Sequence, residues 1–381
     1  MTVSSLLPRS DYPTLESAVY LNQAALGLIG RPAVEAMHAF LDGVARHGNR
    51  FMSDADEASF GEALRARAAR LLNAEAERIA VVAGASELLG QLPYLLEPDA
   101  DSTVVAIGSD FPAITRPWLR RAGRGGCRVR FVDDRPTEDL TDALIDALDE
   151  QTSVLAVSHV QYATGSAVNI PRLRQATSEV GAHLIVDVSQ SAGAMTVDAT
   201  AWDADLVVSS GYKWLGAHGG VALAAVSERL LHDAPPLPGW MGAADPFDFD
   251  ARSLSVAADA SRFTQSTMSY VSLVGLTAAL DQLLSLGAAR IEAHSGELAS
   301  LLVDALATSG WRPFRPPADA SASTHIVSTG HRTPPDEAYA ELLRAQSIIC
   351  GVRGGRIRVS LAPYNDESDV RALIEALRAA G

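Results

Sequence analysis

Between about residues 78 and 226 the chain alternates short β-branched runs with segments of helical spacing, and this alternation restricts the fold more than any other feature. The runs are Ile79–Val82, Thr103–Ile107, Val129–Val132, Ser153–Val157, His183–Asp187, Leu206–Ser209 and Val221–Val226. They are apolar at successive positions rather than alternate ones, as strands covered on both faces must be. The segments Glu87–Leu96, Leu140–Leu148 and Arg172–Val180 have the length and spacing of crossover helices. Strands joined through helices become parallel neighbours, so the region reads as an α/β fold around a mostly parallel, seven-stranded sheet.

The alternation stops at Pro235-Pro-Leu-Pro-Gly-Trp-Met-Gly-Ala-Ala-Asp-Pro246, a proline and glycine cluster that reads as a long loop. Beyond it the spacing predicts two long amphipathic helices over about 270–307 and a strand near Thr324–Ser328. A helix at Pro335–Ala345, a strand at Arg356–Leu361 and a last helix at Glu367–Ala380 complete a smaller α+β unit. Helical patterns at Pro32–Ala45 and Glu57–Leu72 lead into the sheet. The expected organisation is an N-terminal arm over 1–20 packing with the small domain, a large α/β domain over 21–260 and a small C-terminal domain over 261–381.

Composition removes several classes of function. A formal charge of −15 without any long basic run argues against nucleic acid as a partner. Cys127 and Cys350 stand far apart, offering neither a disulfide framework nor a Cys-x-x-Cys metal pair, so a reducing compartment is expected and no metal. The N-terminus lacks a basic region followed by a sustained apolar stretch, and no run approaches 18 apolar residues. A cytoplasmic protein with no membrane partner is the expectation.

In open α/β sheets, ligands gather outside the carboxyl ends of the strands, and polar residues cluster there in this chain. Val82-Ala-Gly-Ala-Ser-Glu87 opens a helix whose first amides, at Ala85 and Ser86, suit a phosphate or simply a capped helix. Asp110-Phe-Pro112 puts an aromatic ring, Phe111, at the next strand end, either over a ligand or in the core. Ser158-His-Val-Gln-Tyr-Ala-Thr-Gly165 is dense in hydrogen-bonding groups, among them Thr164; its His159 is a base or a satisfied buried histidine. Asp187 ends another run and must cap a turn or meet a cation if buried. Lys213, in Ser209-Ser-Gly-Tyr-Lys-Trp-Leu-Gly216, stands past a further run; alone, it reads equally as a surface lysine. Taken in order, a phosphate cradle, a flat ring, a carboxylate and a lysine are what pyridoxal 5′-phosphate (PLP) requires. Its phosphate needs amide and hydroxyl donors, its ring a stacking partner, its pyridine nitrogen an anion and its aldehyde an amine that can lose its proton.

At this point the sequence resembles the class V aminotransferase family of fold-type I PLP enzymes, from Tyr20-Leu-Asn-Gln-Ala-Ala-Leu-Gly27 to Arg358-Val-Ser-Leu-Ala-Pro-Tyr-Asn365. The resemblance implies that Lys213 forms the Schiff base and Asp187 pairs with the pyridine nitrogen. Gln190 would reach the phenolic oxygen and Phe111 would stack on the ring. Ala85, Ser86, Ser210 and Tyr212 would hold the phosphate, and Thr164 would join the cofactor-binding set. Thr267 matches a threonine that reaches the phosphate of the neighbouring subunit, which implies a homodimer with shared active sites. Arg358 matches the arginine that grips the substrate α-carboxylate, a task suited to a bidentate guanidinium, with Asn22 beside it. As a strand arginine it has Arg353 and Arg356 for rivals.

The chain also departs from the cysteine desulfurases of that family, which carry histidine at Phe111, asparagine at Tyr162 and histidine at Tyr212, and need a cysteine on a flexible loop. Cys350 instead lies in Ser347-Ile-Ile-Cys-Gly-Val352, which reads as a strand. In these respects the chain looks closer to the kynureninase and isopenicillin-epimerase-like branches. The chemistry so implied is external aldimine formation on an amino acid followed by Cα deprotonation. β-Elimination from a cysteine-type conjugate is favoured, with transamination as the alternative. Decarboxylation-coupled oxidative deamination and epimerisation stand behind these, and a non-enzymatic sensor is the weakest reading. The loop around Trp240 and Met241 is expected to act as a lid for an extended substrate.

Overall fold

The computed structural model describes residues 2–50, 53–331 and 337–380. Its main sheet contains strands β1 (Ile79–Val82), β2 (Thr103–Ile107), β3 (Arg128–Val132), β4 (Thr152–Ser158), β5 (His183–Asp187), β6 (Leu206–Ser210) and β7 (Ala222–Val226), in the spatial order β1-β7-β6-β5-β4-β2-β3. All pairs run parallel except those made by β7, which is antiparallel to both β6 and β1. Two reversals cancel, so β1 points the same way as β6. The carboxyl ends of the other six strands and the amino end of β7 therefore share one rim.

The continuous apolar runs are explained by cover on both faces. Side chains alternate across a strand, and the sheet divides them between two cores. Val105, Ile107, Leu155, Val157, Leu184, Val186 and Val207 join one core with Leu64 and Leu72, Leu140 and Leu144, Leu173, and Leu276 and Leu280 of surrounding helices. Their neighbours Val104, Val154, Ala156, Ile185 and Val208 join the other, with Leu88, Leu92, Ile114 and Trp118. The helices that follow β2 and β3, Pro112–Ala122 and Leu140–Asp146, thus lie on opposite faces, and the chain passes from β3 over β2 to β4. The gap between the ends of β2 and β4 is a topological switch point, where open sheets bind ligands.

A four-stranded antiparallel sheet in the order Gly351–Arg353, Arg356–Ser360, Ile326–Gly330, Arg312–Pro313 is covered by the helices Ala288–Leu306 and Glu367–Ala380. The strand expected at Thr324–Ser328 lies two residues further on. The helix expected from Pro335 is described from Glu337 to Ala345; its first two residues lie outside the described segments. The run around Cys350 splits into Ile348–Ile349 and Gly351–Arg353, with the cysteine between them. Helix Tyr270–Leu286 packs on Arg31–His47 and Asp54–Leu72 and sends Leu273, Leu276, Leu280 and Leu283 into the core beneath the main sheet. The N-terminal segment lies along the C-terminal region. The amides of Leu6 and Leu7 donate to the Pro363 carbonyl, and Arg9 pairs with Asp369 at 2.8 Å. No single described helix is long and apolar enough to cross a membrane.

Candidate active site

The shared rim holds a cleft of about 140 Å³ between β1, β2, β5 and the β6–β7 connection. At one end the helix Ala85–Leu95 begins, with Gly84 at its N-cap making no side-chain cap. No atom lies within 4 Å of where a Gly84 side chain would start, and Ala85 and Ser86, the first residues of the helix, line the cleft. Such a terminus carries unsatisfied N–H groups and a partial positive charge. Ser210, Tyr212, Gly219 and Gly220 close this end, and Ser189 Oγ donates to Ser210 Oγ at 3.1 Å.

At the other end stand Asp187 and Lys213, both buried, with relative exposures of 5% and 6%. The Ser189 amide donates to Asp187 Oδ1 at 2.7 Å. Lys213 Nζ lies 5.0 Å from the centroid of the Phe111 ring and 5.7 Å from that of Tyr212. Burial lowers the lysine's pKa, Asp187 works against that shift, and Arg358 adds to it. An amine in such a place loses its proton more readily than one in water. The edge of Tyr162 meets Phe111 with ring centroids 5.5 Å apart.

Arg358 lies on strand Arg356–Ser360 and is 1% exposed. Its Nη1 donates to the Tyr162 carbonyl at 2.9 Å and its Nη2 to Asn22 Oδ1 at 3.1 Å, while its buried Nε has no partner. Burial, then Arg353, lowers its pKa to about 10. A buried guanidinium with a spare donor and no carboxylate among its hydrogen-bond partners is set to receive an anion. Arg356 also has a buried Nε without a partner, but its guanidinium lies over Phe314 and donates to the carbonyls of Arg312 and Ser328, and it is Arg358 whose charge acts on Lys213; Arg353 is exposed.

Seven of the expected residues, Ala85, Ser86, Phe111, Asp187, Ser210, Tyr212 and Lys213, line the cleft; Arg358 and Asn22 lie beyond its lining, and Thr164, Thr267 and Gln190 are also outside it. The Thr164 hydroxyl donates to Asp134 at 2.6 Å, in a cluster with Ser166 and Arg315, away from the cleft lining. Thr267 is exposed and also outside the cleft. Gln190 is buried behind it: its Nε2 donates to the Ala24 carbonyl, and its Oε1 accepts from Trp214. His159 bonds Ser191 through Nδ1 at 2.9 Å and is held down to about pKa 4 by burial, which makes it a neutral buried histidine.

Sequence reasoning passed over Asp110, Ser189, Gly219 and Gly220. Asp110 is the most consequential of these. Its carboxylate accepts from the Phe111 amide (2.6 Å), the Ser158 amide (2.8 Å) and the Ser158 hydroxyl (2.6 Å), bridging β2 and β4 at the switch point. Burial raises its pKa to about 6 against those hydrogen bonds, with Asp187 adding to the rise. The signal was present, since Asp110 follows its strand much as Asp187 ends its own.

This geometry can be set beside known proteins. The sequence model of the aminotransferase class-V family matches residues 19–373. The chain belongs to the aminotransferase class-V family. It is a PLP-dependent enzyme of that family. Its relatives include the uncharacterised aminotransferase YcbU of Bacillus subtilis, 26% identical over 97% of this chain and 96% of that protein. The cysteine desulfurase CsdA of Escherichia coli is 28% identical over the same shares. In structure the chain resembles CsdA with a TM-score of 0.84 at 24% identity, covering 98% of this chain and 97% of that one. The cystine C–S lyase C-DES, solved with cysteine persulfide, gives 0.88 at 21% identity, covering 96% and 99%. These two structures share the fold of this family member.

The residues present fit the cofactor on their own terms. A helix start without a side-chain cap lines the cleft, together with a buried carboxylate and a buried amine of lowered proton affinity. An unpartnered guanidinium N–H lies beyond them.

Proposed function

We propose that the protein is a PLP-dependent lyase that breaks a C–S bond of a cysteine-type amino acid by β-elimination. The observation that carries the reading is Lys213, a buried amine of lowered proton affinity near Asp187, Phe111 and Arg358. Two relatives whose names describe C–S chemistry, CsdA and C-DES, support it.

In this reading Asp187 holds the ring nitrogen, Phe111 covers the ring, and Gln190 approaches its phenolic oxygen. Ala85, Ser86, Ser210 and Tyr212 hold the phosphate. Thr267, exposed and outside its own cleft, reaches the phosphate site of a second copy in a homodimer. The same reading keeps an arm over 1–20, a large domain over 21–260 and a small domain over 261–381. When bound, the cofactor supplies an electron sink for the pair released at Cα. Arg358 and Asn22 bind and orient the α-carboxylate. Lys213 Nζ takes the Cα proton, for which it must be neutral, and burial favours that form. The Cβ–S bond then breaks, the sulfur leaving with its electron pair and taking up a proton as a thiol, and one water hydrolyses the remaining aminoacrylate to pyruvate and ammonia.

Cys350 has no place in this scheme. It stands between two short strands, and burial pushes its thiol up to about 12, so it offers little thiolate at neutral pH. Together with Phe111, Tyr162 and Tyr212, this separates the site from the usual desulfurase pattern.

The test is to incubate the purified yellow protein with cystine, cysteine and S-alkyl cysteines, following products and spectrum together. Pyruvate with stoichiometric thiol or persulfide is the expected result. Alanine with persulfide would replace the lyase with a desulfurase, and a pyridoxamine-phosphate spectrum with an oxo acid would replace it with a transaminase.

A further inference from the structure

Gln23 is 3% exposed and joins three parts of the chain. Its Nε2 donates to the Lys213 carbonyl at 2.8 Å. Its Oε1 accepts from the Tyr364 hydroxyl at 2.6 Å and from the Leu28 amide at 3.2 Å. All three side-chain bonds of this amide are thus spent on structure, and one of them lies on the peptide of the reactive lysine.

The backbone on either side of Gln23 is held by different parts of the chain. Upstream, Val19–Tyr20 pairs with Ile348–Ile349, the Ser360 amide donates to the Leu21 carbonyl, and Asn22 Oδ1 accepts from Arg358. Downstream, the Gly27 amide donates to the Tyr212 carbonyl at 2.9 Å, and any side chain on Gly27 would collide with the Lys213 carbonyl oxygen. Residues 19–28 therefore run from the strand that carries Arg358 to the peptides that carry Lys213. Tyr364, three residues beyond Leu361 and fully buried, braces Gln23 from the C-terminal side.

We propose that Gln23, braced by Tyr364, is a positioning residue that couples occupancy of Arg358 to the placement of Lys213. A carboxylate arriving at Arg358 competes for donors now spent on Asn22 and the Tyr162 carbonyl. Asn22 is covalently next to Gln23, so any movement of it pulls on the bond to the Lys213 carbonyl. The lysine thus responds to the substrate's carboxylate without touching it. This coupling rests on the cofactor reading above, whereas the hydrogen bonds beneath it do not.

Gln23→Glu, ionised at pH 8, keeps the Oε1 that accepts both bonds but loses the donor to Lys213, and Tyr364→Phe removes the brace alone. The first measurement is hydrogen exchange on the apoenzyme. Both variants should speed exchange in the Gln23–Leu28 and Tyr212–Gly216 peptides by about tenfold or more, while the Ile326–Gly330 strand stays protected. The second is the change in visible absorbance of the cofactor-loaded enzyme on titration with acetate, a carboxylate probe that cannot react. The wild type should respond, each variant should respond about fivefold less, and the double variant no less than the weaker single. A purely space-filling Gln23 would leave the acetate response intact in both variants, and that result, or unchanged exchange, overturns the proposal. A wild type with no visible absorbance would instead remove the cofactor reading, and exchange alone would then decide whether Gln23 positions the Lys213 peptide.

Discussion

The two rims of the main sheet both bury carboxylates, and they treat them in opposite ways. At the rim away from the cleft, Asp205 accepts from the Leu184 amide (2.8 Å), Arg229 Nε (2.8 Å) and Arg174 (3.4 Å), and meets His183 Nδ1 at 2.9 Å. Burial works against its charge, but His183, the Leu184 amide and Arg229 outweigh it and bring the pKa to about 2. At the cleft rim, Asp110 has hydrogen bonds but no cation of its own and sits near pKa 6, and Lys213 is buried with its proton affinity lowered. A buried charge is therefore not what marks the site. What marks it is a set of buried groups whose compensation is incomplete and whose missing partners would come with a ligand.

That contrast can be broken most severely at Lys213. Lys213→Ala should lower turnover by about a thousandfold or more, since in the proposed scheme it removes both the cofactor's amine partner and the base, while the apoenzyme melts no lower than the wild type. Steady-state assays and calorimetry on the same preparation check both halves. A variant that keeps its turnover removes the lysine from the chemistry.

At the opposite rim the expected pattern is reversed. Asp205→Ala leaves the Leu184 amide unpaired and takes one of two carboxylate partners from Arg229 and Arg174, which keep Asp203; it should cost about 1 to 3 kcal/mol of stability, read from urea denaturation of the apoenzyme, with turnover per folded molecule unchanged. Asp187→Asn, which keeps an acceptor for the Ser189 amide, should cost under about 1 kcal/mol yet weaken cofactor retention on dialysis.

Acid should sharpen the comparison through groups near the cleft. His159 and His325 are kept neutral by burial, with pKa values of about 4 and about 3, the Gln190 carbonyl opposing the shift at His325. Unfolded, each takes a proton near 6.5, so their contribution is full above that pH and falls as pH drops toward the folded values. Asp110 has the opposite sign, since its raised value means the folded state takes up the proton first. Between pH 7 and pH 5 the histidines should together lose about 4 kcal/mol and Asp110 return about 1, a net loss of about 2 to 3 kcal/mol. Denaturation of the apoenzyme at the two pH values measures it, and His159→Gln should roughly halve the histidine part.

The smallest effect concerns Thr164. Thr164→Val removes one hydroxyl from the Asp134 cluster and should cost about 1 kcal/mol of stability without changing cofactor retention. Reduced retention would bring the residue back to the cleft.

These outcomes bear on how far the sequence could be read. Strands covered on both faces leave continuous apolar runs, so six strands of the main sheet were legible for that reason; the edge strand β3, half exposed and carrying Arg128 and Arg130, was legible from Val129, Phe131 and Val132 alone. Helix Pro112–Ala122 was not, because Pro117 and its arginines interrupt the apolar spacing, although Ile114 and Trp118 are buried. Lys213, Asp187 and Phe111 were singled out because each follows or ends a recognisable strand, and Arg358 because it matches an arginine of the family it resembles. Thr164 was assigned by its neighbours in sequence, but its hydroxyl answers to Asp134, thirty residues away in sequence. Gln23 was hidden for a related reason: its partners, Lys213 and Tyr364, lie 190 and 341 residues further along, and no local pattern encodes them.

The reversal of β7 also separates the molecule for practical purposes. Because it brings the lysine loop back to the rim shared by the other strand ends, the turns at the opposite rim lie outside the lining of the cleft. The one at Gly123–Gly126, exposed and already bent through a left-handed Gly125, is the natural point to splice in a tether or reporter domain. A fusion there would leave the mouth of the cleft unobstructed.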